Sequence, residues 1–434
     1  MIKSFLRRII TAILRFEARL VLRKYRPRVI GITGSVGKTG TKDAVARVLA
    51  SRFRVRASQK SFNHEIGVPL TILDCDNAWW DPLGWLRNFL HGLSLILFRA
   101  PYPEWLVLEI GVEQPGDIER IARWIKFDAV ILTRLPEIPV HVEFFASPEE
   151  LAAEKLKLAR AIRPGGLVVL NHDDPKIMAI RDQLPGTVLT YGWSEGASVR
   201  ASDEHIVYAE REGKRLPDGL ALKVAYAGTN VPFRLKRILA RHQLYGVLAA
   251  TAVGLSLDLN LVEIAEAVVE LDSPPGRFRL LPGVKETLII DDSYNASPAA
   301  VESALATLGE MATGGRKIVV LGDMLELGPL TIDAHRKMGI LAAATAQVLI
   351  TVGLRTKFLA EEAARKRFNK KKMAHFDTWR GVGEYLQNLI EPGDIILVKG
   401  SQSIRLEKVV EEIMAEPENK NRLLVRQEPE WQKR

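Results

Sequence analysis

The sequence predicts an α/β protein. Its P-loop central domain has a mostly parallel sheet and a small antiparallel β subregion, and a C-terminal Rossmann-like α/β domain follows. Three observations carry this. Short apolar runs ending in polar or glycine residues alternate with helix-patterned segments, as in a parallel sheet with helical crossovers. A glycine-rich turn, Gly31-Ile32-Thr33-Gly34-Ser35-Val36-Gly37-Lys38-Thr39, joins the first run to a helical pattern. A second series of strand-like runs begins near residue 286, beyond a boundary between Pro274 and Lys285. At 434 residues the chain is too long for one core.

Residues 1–27 read as a basic amphipathic helix. Up to Arg28 the chain holds nine Lys/Arg against Glu17 alone, a net +8 of the whole chain's +9. The basicity therefore belongs to this helix and not to the body, and no nucleic-acid partner is expected. Ile2, Phe5, Leu6, Ile9, Ile13, Phe16 and Leu20 recur at helical spacing between the arginines. The charges interrupt the segment too often for a membrane span, and no small-residue cleavage site follows it. Two readings stand side by side: a helix on an anionic membrane surface, or one packed on the protein's own body. Residues 79–98, rich in tryptophan and leucine, read either as a second interfacial patch or as a buried helix. Peripheral membrane contact is thus expected through residues 1–25 and 79–98. The single cysteine, Cys75, excludes an intrachain disulfide and a cysteine-based zinc site. It fits a reducing cytoplasm, with the inner face of the plasma membrane as the place of any contact.

The central domain spans 28–283. Its strands are read at 28–33, 104–111, 128–133 and 165–171, with a helix from Thr41 to about Arg52. A helix over 148–163 has a clean start: Ser147 as N-cap, Pro148 at N1 and Glu150 at N3. Residues 188–235 alternate over short runs and read as the antiparallel subregion, before a helix at 241–256. The C-terminal domain spans 284–414, with strands at 287–292, 317–322, 348–353 and 394–399, and 415–434 form a polar tail.

A glycine-rich turn between strand and helix presents backbone N–H groups to a phosphate chain at the positive end of the helix. Gly34, Ser35, Val36 and Gly37 would form that cradle, Lys38 would reach the β/γ-phosphates, and the Thr39 hydroxyl would sit on Mg²⁺. In open α/β sheets ligands collect at the carboxyl ends of strands. Glu109 stands there as a natural Mg²⁺ ligand. Asp291-Asp292 lead into Ser293-Tyr294-Asn295, and Arg277 sits at the domain boundary, where it can swing onto a phosphate. His141, Lys155 and Lys399 are weaker signals when taken singly, since each residue type is more often structural.

Taken in order these motifs resemble the Mur ligase family, most closely its D-alanyl-D-alanine-adding member. The resemblance runs from Val29 to Glu412 through the glycine-rich turn, Asn63-His64-Glu65-Ile66-Gly67-Val68-Pro69-Leu70, Leu108-Glu109-Ile110-Gly111, His141-Val142-Glu143-Phe144-Phe145 and Lys155. It continues with Asn171-His172-Asp173-Asp174, Arg241-His242, Gly276-Arg277, Asp291 to Pro298, Leu321-Gly322-Asp323-Met324-Leu325-Glu326-Leu327-Gly328 and Val398-Lys399-Gly400-Ser401. It implies an ADP-forming ligase that joins a carboxylate to an amine through an acyl phosphate, on a muramoyl-peptide acid with D-Ala-D-Ala as amine. ATP and two Mg²⁺ are implied. Thr39 and Glu109 would hold the first ion, and His141 with a carbamylated Lys155 the second. Arg277, Asp292 and Asn295 would bind nucleotide from the domain-boundary side, with Lys38, Lys155, His141 and Asn295 as the catalytic set. The chain is expected to act as a monomer.

The chain departs from the family pattern in places. Only 27 residues precede the first strand, where the family carries a UDP-binding domain, so that site is expected to be missing or replaced. In one version the basic helix brings the enzyme to a membrane-held muramoyl substrate. The family's Asn-Asn-Glu is Asn63-His64-Glu65, its Thr-Asn-Ile is Thr133-Arg134-Leu135, and its Lys-Gly-Ser-Arg is Lys399-Gly400-Ser401-Gln402. Its nucleotide motif reads Ala240-Arg241-His242-Gln243-Leu244-Tyr245-Gly246, without the adenine-contacting asparagine. Two alternatives stay open: a Mur-type ligase on another acid and amine, such as a cofactor or polyglutamate-like acceptor, and a degenerate nucleotide-binding scaffold of a cell-wall complex.

Overall fold

The computed structural model describes residues 2–58, 62–137, 142–211 and 214–432. A long helix, α1 (Ile2–Tyr25), leads into β1 (Arg28–Thr33). With β2 (Val55–Ala57), β3 (Trp105–Glu109), β4 (Phe127–Leu132), β5 (Ile162–Asn171), β6 (Thr187–Gly192), β7 (Val199–Arg211), β8 (Lys214–Tyr226) and β9 (Thr229–Lys236), β1 forms one sheet. Its order is β2-β3-β1-β4-β5-β6-β7-β8-β9. The pairs from β2 to β7 are parallel, and the last two are antiparallel. Strands β3 and β4 flank β1, so the winding reverses there, and a cleft opens at the carboxyl ends of these three strands.

The central strands are apolar throughout because both faces of the sheet are covered. On one face, α2 (Lys38–Leu49) packs through Ala44, Val45 and Val48 against Ile30, Ile32 and Val107. The other face carries α1, α3 (Gly67–Leu73), α4 (Pro82–Leu97) and α5 (Asp117–Ala122), which bury Leu14, Ala18, Val21, Leu70, Trp85, Leu95 and Ile118 over Val29, Leu106 and Val130. The N-terminal helix thus does pack on the body, through its inner face. Helices α6 (Pro148–Leu156), α7 (Pro175–Met178) and α8 (Arg241–Leu255) complete the unit.

Three elements differ from their sequence readings. Residues 187–192, read as part of the antiparallel subregion, pair in parallel with β5, and the antiparallel pairing is confined to β7–β9 at the end of the same sheet. A short half-buried strand shows the same alternation in either direction, so its pairing is not written in its pattern. The predicted 148–163 helix ends at Leu156 and tightens into a 3₁₀ turn over Lys157–Ala161. The helix expected from Thr41 already starts at Lys38, because Gly37 (φ 88°) turns the chain sharply into it.

The second sheet holds β10 (Arg279–Gly283), β11 (Thr287–Asp292), β12 (Lys317–Gly322), β13 (Val348–Val352), β14 (Met373–Phe376) and β15 (Ile395–Lys399), in the order β10-β11-β15-β12-β13-β14. It is parallel except for its β10 edge. The last residues fold back onto this unit. Arg426 donates to the Ser293 carbonyl (2.7 Å) and to Glu407 (2.6 Å), and Trp431 meets Trp79 edge-on at 6.4 Å.

Candidate active site

Each half of the cleft is built by one sheet. On the central side the 31/34/37 glycine spacing has a steric cause at each position. A Cβ on Gly31 would press into the Phe127 ring, and one on Gly34 (φ 144°) would collide with Thr133 Oγ1. Gly37 lies in the left-handed region, with open space on its outer side. The loop is pinned where Ser35 N donates to the Arg134 carbonyl (2.8 Å) and Val36 forms a backbone bridge with Arg134.

Glu109, at the end of β3, is only 1% exposed. It accepts from Thr39 Oγ1 on one oxygen (2.9 Å) and from Asn63 Nδ2 on the other (2.8 Å). Lys38 Nζ donates to the Gly34 carbonyl (3.0 Å). Burial lowers the Lys38 pKa; Glu109 opposes that shift and Arg277 adds to it. Lys155 is 2% exposed, and its Nζ donates to Ser35 Oγ (3.2 Å). Burial, and then the charge of Lys38, hold its pKa well below the usual lysine value, so its amine is disposed to be neutral.

The other half comes mainly from the C-terminal unit, supported by Gln243 and His242 of α8 in the first unit. Lys399 Nζ donates to Asp292 Oδ2 (2.7 Å) and to the Asn295 carbonyl (3.1 Å). Arg277 lies over the Tyr294 ring at 3.9 Å, and among the described residues its buried Nε has no hydrogen-bond partner. Gln243, at the start of α8, ties the Arg277 carbonyl (3.0 Å) to Ser273 Oγ (2.7 Å). His242 is held by Ser303 (2.9 Å). Burial, then Lys399, Arg134 and Arg277, push its pKa down to about 3, so it is a neutral ring here.

The structure brings Ser35, Val36, Gly37, Lys38, Thr39, Glu109, Lys155, Arg277, Asp292 and Asn295 to this one cleft, with Gly34 shaping the loop from behind. His141 lies outside the described residues. Two contributors to the geometry were not singled out as site residues: Asn63, which orients Glu109, and Gln243, which places Arg277. Their signal in the sequence was only membership of the Asn-His-Glu and His-Gln motifs. The missing asparagine at position 246 has a structural counterpart. A Cβ on Gly246 would lie 3.1 Å from the Thr41 backbone, so α8 approaches α2 where a larger residue would crowd it.

Lys38, Lys155, Arg277 and Lys399 converge on the cleft against Glu109 and Asp292, and the partnerless Arg277 Nε calls for an acceptor. A nucleoside triphosphate with Mg²⁺ fits this donor set. Among the described residues no three His, Cys, Asp or Glu side chains cluster as a closed metal cage.

Family comparisons agree with this construction. The Mur ligase middle domain matches residues 88–254, and the Mur ligase glutamate ligase domain matches 276–402. The chain belongs to the Mur ligase family. Within it, the chain is similar to MurF enzymes. The UDP-N-acetylmuramoyl-tripeptide–D-alanyl-D-alanine ligase of Bacillus subtilis is 27% identical over 401 residues, covering 92% of this chain and 79% of its own. The Escherichia coli enzyme of the same name is 25% identical over 397 residues, covering 88% and 76%. In fold, the chain is similar to MurF from Acinetobacter baumannii (TM-score 0.75, 22% identity, 92% of this chain and 79% of that one). It is also similar to MurF from Thermotoga maritima in complex with ADP (TM-score 0.74, 23% identity, 94% and 84%).

Proposed function

We propose that this chain is an ATP-dependent, ADP-forming ligase that adds D-Ala-D-Ala to a muramoyl-tripeptide acid in peptidoglycan synthesis. The observation that carries this is the facing of two half-sites across one cleft: Lys38, Thr39, Glu109 and Lys155 from the first sheet, Arg277, Asp292, Asn295 and Lys399 from the second. Such a site can gather the crowded negative charge of a phosphate chain and an incoming carboxylate and lower the cost of bringing them together. Closing the two units over it excludes water from a reactive acyl phosphate.

In the first step a carboxylate oxygen of the acid attacks the γ-phosphorus, and ADP leaves. In the second the amine attacks the acyl carbon, and phosphate leaves with the bonding electrons. Lys38 and Arg277 neutralise the phosphate oxygens. Thr39 and Glu109 would hold a Mg²⁺, and Lys155 with His141 a second, whose charge would further neutralise the phosphate oxygens. Asn63 keeps the Glu109 carboxylate in its rotamer. The depressed Lys155 pKa suits reaction with CO₂: the neutral amine nitrogen adds to carbon, one proton leaves to solvent, and a carbamate anion results. Ser35 holds the head of that side chain in place.

The test is ligation of UDP-muramoyl tripeptide with D-Ala-D-Ala, read as product mass, with Lys38→Ala as control. The expected result is one ATP-dependent product of the added dipeptide mass, absent in the control. Phosphate release only with single amino acids or ammonia would instead assign a different acid and amine to the same chemistry. Ligation unimpaired in Lys38→Ala would contradict the site itself.

A further inference from the structure

The pair α1 and α4 is not used by the reaction. The two helices lie side by side and run in the same direction. A Cβ on Gly92 would collide with the Glu17 carboxylate, and further along Lys24 Nζ donates to the carbonyls of Leu95 (2.8 Å) and Ile96 (2.9 Å). Each helix buries one face. Each also exposes a second apolar stripe that no described residue covers. On α1 this stripe is Leu6, Ile9, Ile13 and Phe16, 36–63% exposed, and on α4 it is Leu83, Leu86, Leu90, Leu93 and Leu97, 44–76% exposed. Both follow the 3-4 spacing of a single helix face, and the α4 stripe is about 21 Å long at 1.5 Å per residue.

The two stripes share one side of the pair. At about 100° per residue, the α1 stripe lies between the edge turned to α4 (Glu17, Lys24) and the edge carrying Arg8, Arg15 and Arg19. On α4 the sense is reversed: the stripe lies between the half-buried seam residues Phe89 and Ile96 and the exposed Arg87 and His91. Reversed sense on parallel neighbours turns both stripes outward, into one apolar crest along the seam with basic flanks. Trp80 (70% exposed) and Phe98 (67%) stand at its two ends. The single carboxylate on the two helices, Glu17, is 7% exposed and turned inward. None of Arg8, Arg15, Arg19 and Arg23 makes an ion pair among the described residues.

We infer that this crest is a docking surface for an anionic lipid bilayer. Apolar patches of this extent mark interaction sites. Leucines and aromatics between arginines match an interfacial helix pair whose apolar face enters the headgroup boundary while the basic flanks meet lipid phosphates. A second copy is the poorer occupant, since face-to-face packing would set arginines against arginines with no carboxylate to pair them. Among the described residues no helix is long and apolar enough to cross a membrane, so the pair lies on the surface. Both helices lead toward strands of the site-bearing sheet, so their amino-terminal ends point to the end where the cleft opens. The surface stands independently of the ligase reading.

The test is flotation of the full chain with phosphatidylglycerol–phosphatidylcholine vesicles against phosphatidylcholine alone. The expected result is binding that needs the anionic lipid and weakens with salt. The double variants Leu86→Glu/Leu90→Glu and Arg8→Glu/Arg15→Glu should each weaken it at least about tenfold. Leu86 and Leu90 are more than half exposed, so the first variant keeps its core; unchanged circular dichroism and ATP turnover would show this. Three outcomes would overturn the inference: no flotation with the anionic vesicles, flotation indifferent to both variants, or a dimer in light scattering that the leucine variant dissolves without any vesicle binding.

Discussion

Replacing Lys399 by Met tests whether the second half of the cleft rests on a buried ion pair. Lys399 and Asp292 are 2% and 5% exposed, with Nζ and Oδ2 2.7 Å apart. Asp292 Oδ1 also accepts from Phe278 N (3.2 Å). Methionine preserves the volume but leaves the carboxylate buried with that one neutral donor. Removing one member of such a pair costs about 3–5 kcal/mol. At about 2–4 °C per kcal/mol that is a drop of about 6–20 °C in the unfolding of the C-terminal unit. Burial already raises the Asp292 pKa, and Lys399 is the largest influence opposing the rise. In the variant the carboxyl rises further and holds a proton in the native state where the unfolded chain has lost it. Native protein then binds more protons, so stability falls as pH increases above the ordinary value of 3.8. The deficit should therefore be larger at pH 8 than at pH 5, and Asp292→Asn in the same chain should recover most of it. Urea unfolding of the ligand-free protein at both pH values measures this. A loss below about 1 kcal/mol, or one that is the same at both pH values, refutes the buried-pair argument.

The remaining expectations concern single residues. Asn63→Ala frees the Glu109 carboxylate and should weaken Mg²⁺ dependence of turnover by about 10–100-fold with little change in Tm, checked by metal titration. Gly34→Ala forces a Cβ toward Thr133 Oγ1 at φ 144° and should abolish ATP binding in calorimetry while costing about 1–3 kcal/mol of stability. Lys155 should give a carbamate signal in ¹³CO₂ NMR that Lys155→Arg lacks, with ligation falling together with the signal. His242, depressed to about 3 from 6.5, is neutral when folded and protonates when unfolded. Its contribution is present above pH 6.5 and is lost as pH falls toward 3, by about 1–2 kcal/mol at pH 5.5, and His242→Asn should flatten that slope.

The glycine-rich turn was legible because its function demands local chemistry: three positions where only glycine fits, then Lys-Thr at a helix start. The apolar strand runs were legible because a sheet covered on both faces leaves no alternation to confuse. Asn63 and Gln243 were less so, since their roles consist of reaching residues distant in sequence, 46 positions to Glu109 and 34 to the Arg277 carbonyl. The N-terminal helix shows the same division. Its basic amphipathic character is plain from spacing, but that one face packs on the body while an apolar stripe stays exposed is seen only in the fold.

Sequence by itself determined the phosphate loop, the alternation of strands and helices, and the types of residue available to bind and activate a carboxylate. Those depend on local backbone sterics and on periodicity. Only the tertiary structure decided that Asp292 and Lys399 neutralise one another inside the cleft, that Lys155 is buried beside Ser35 and Lys38, and that the stripes of α1 and α4 turn outward on one side. Burial, charge balance and the meeting of faces depend on which elements pack together, and that is a property of the assembled sheets.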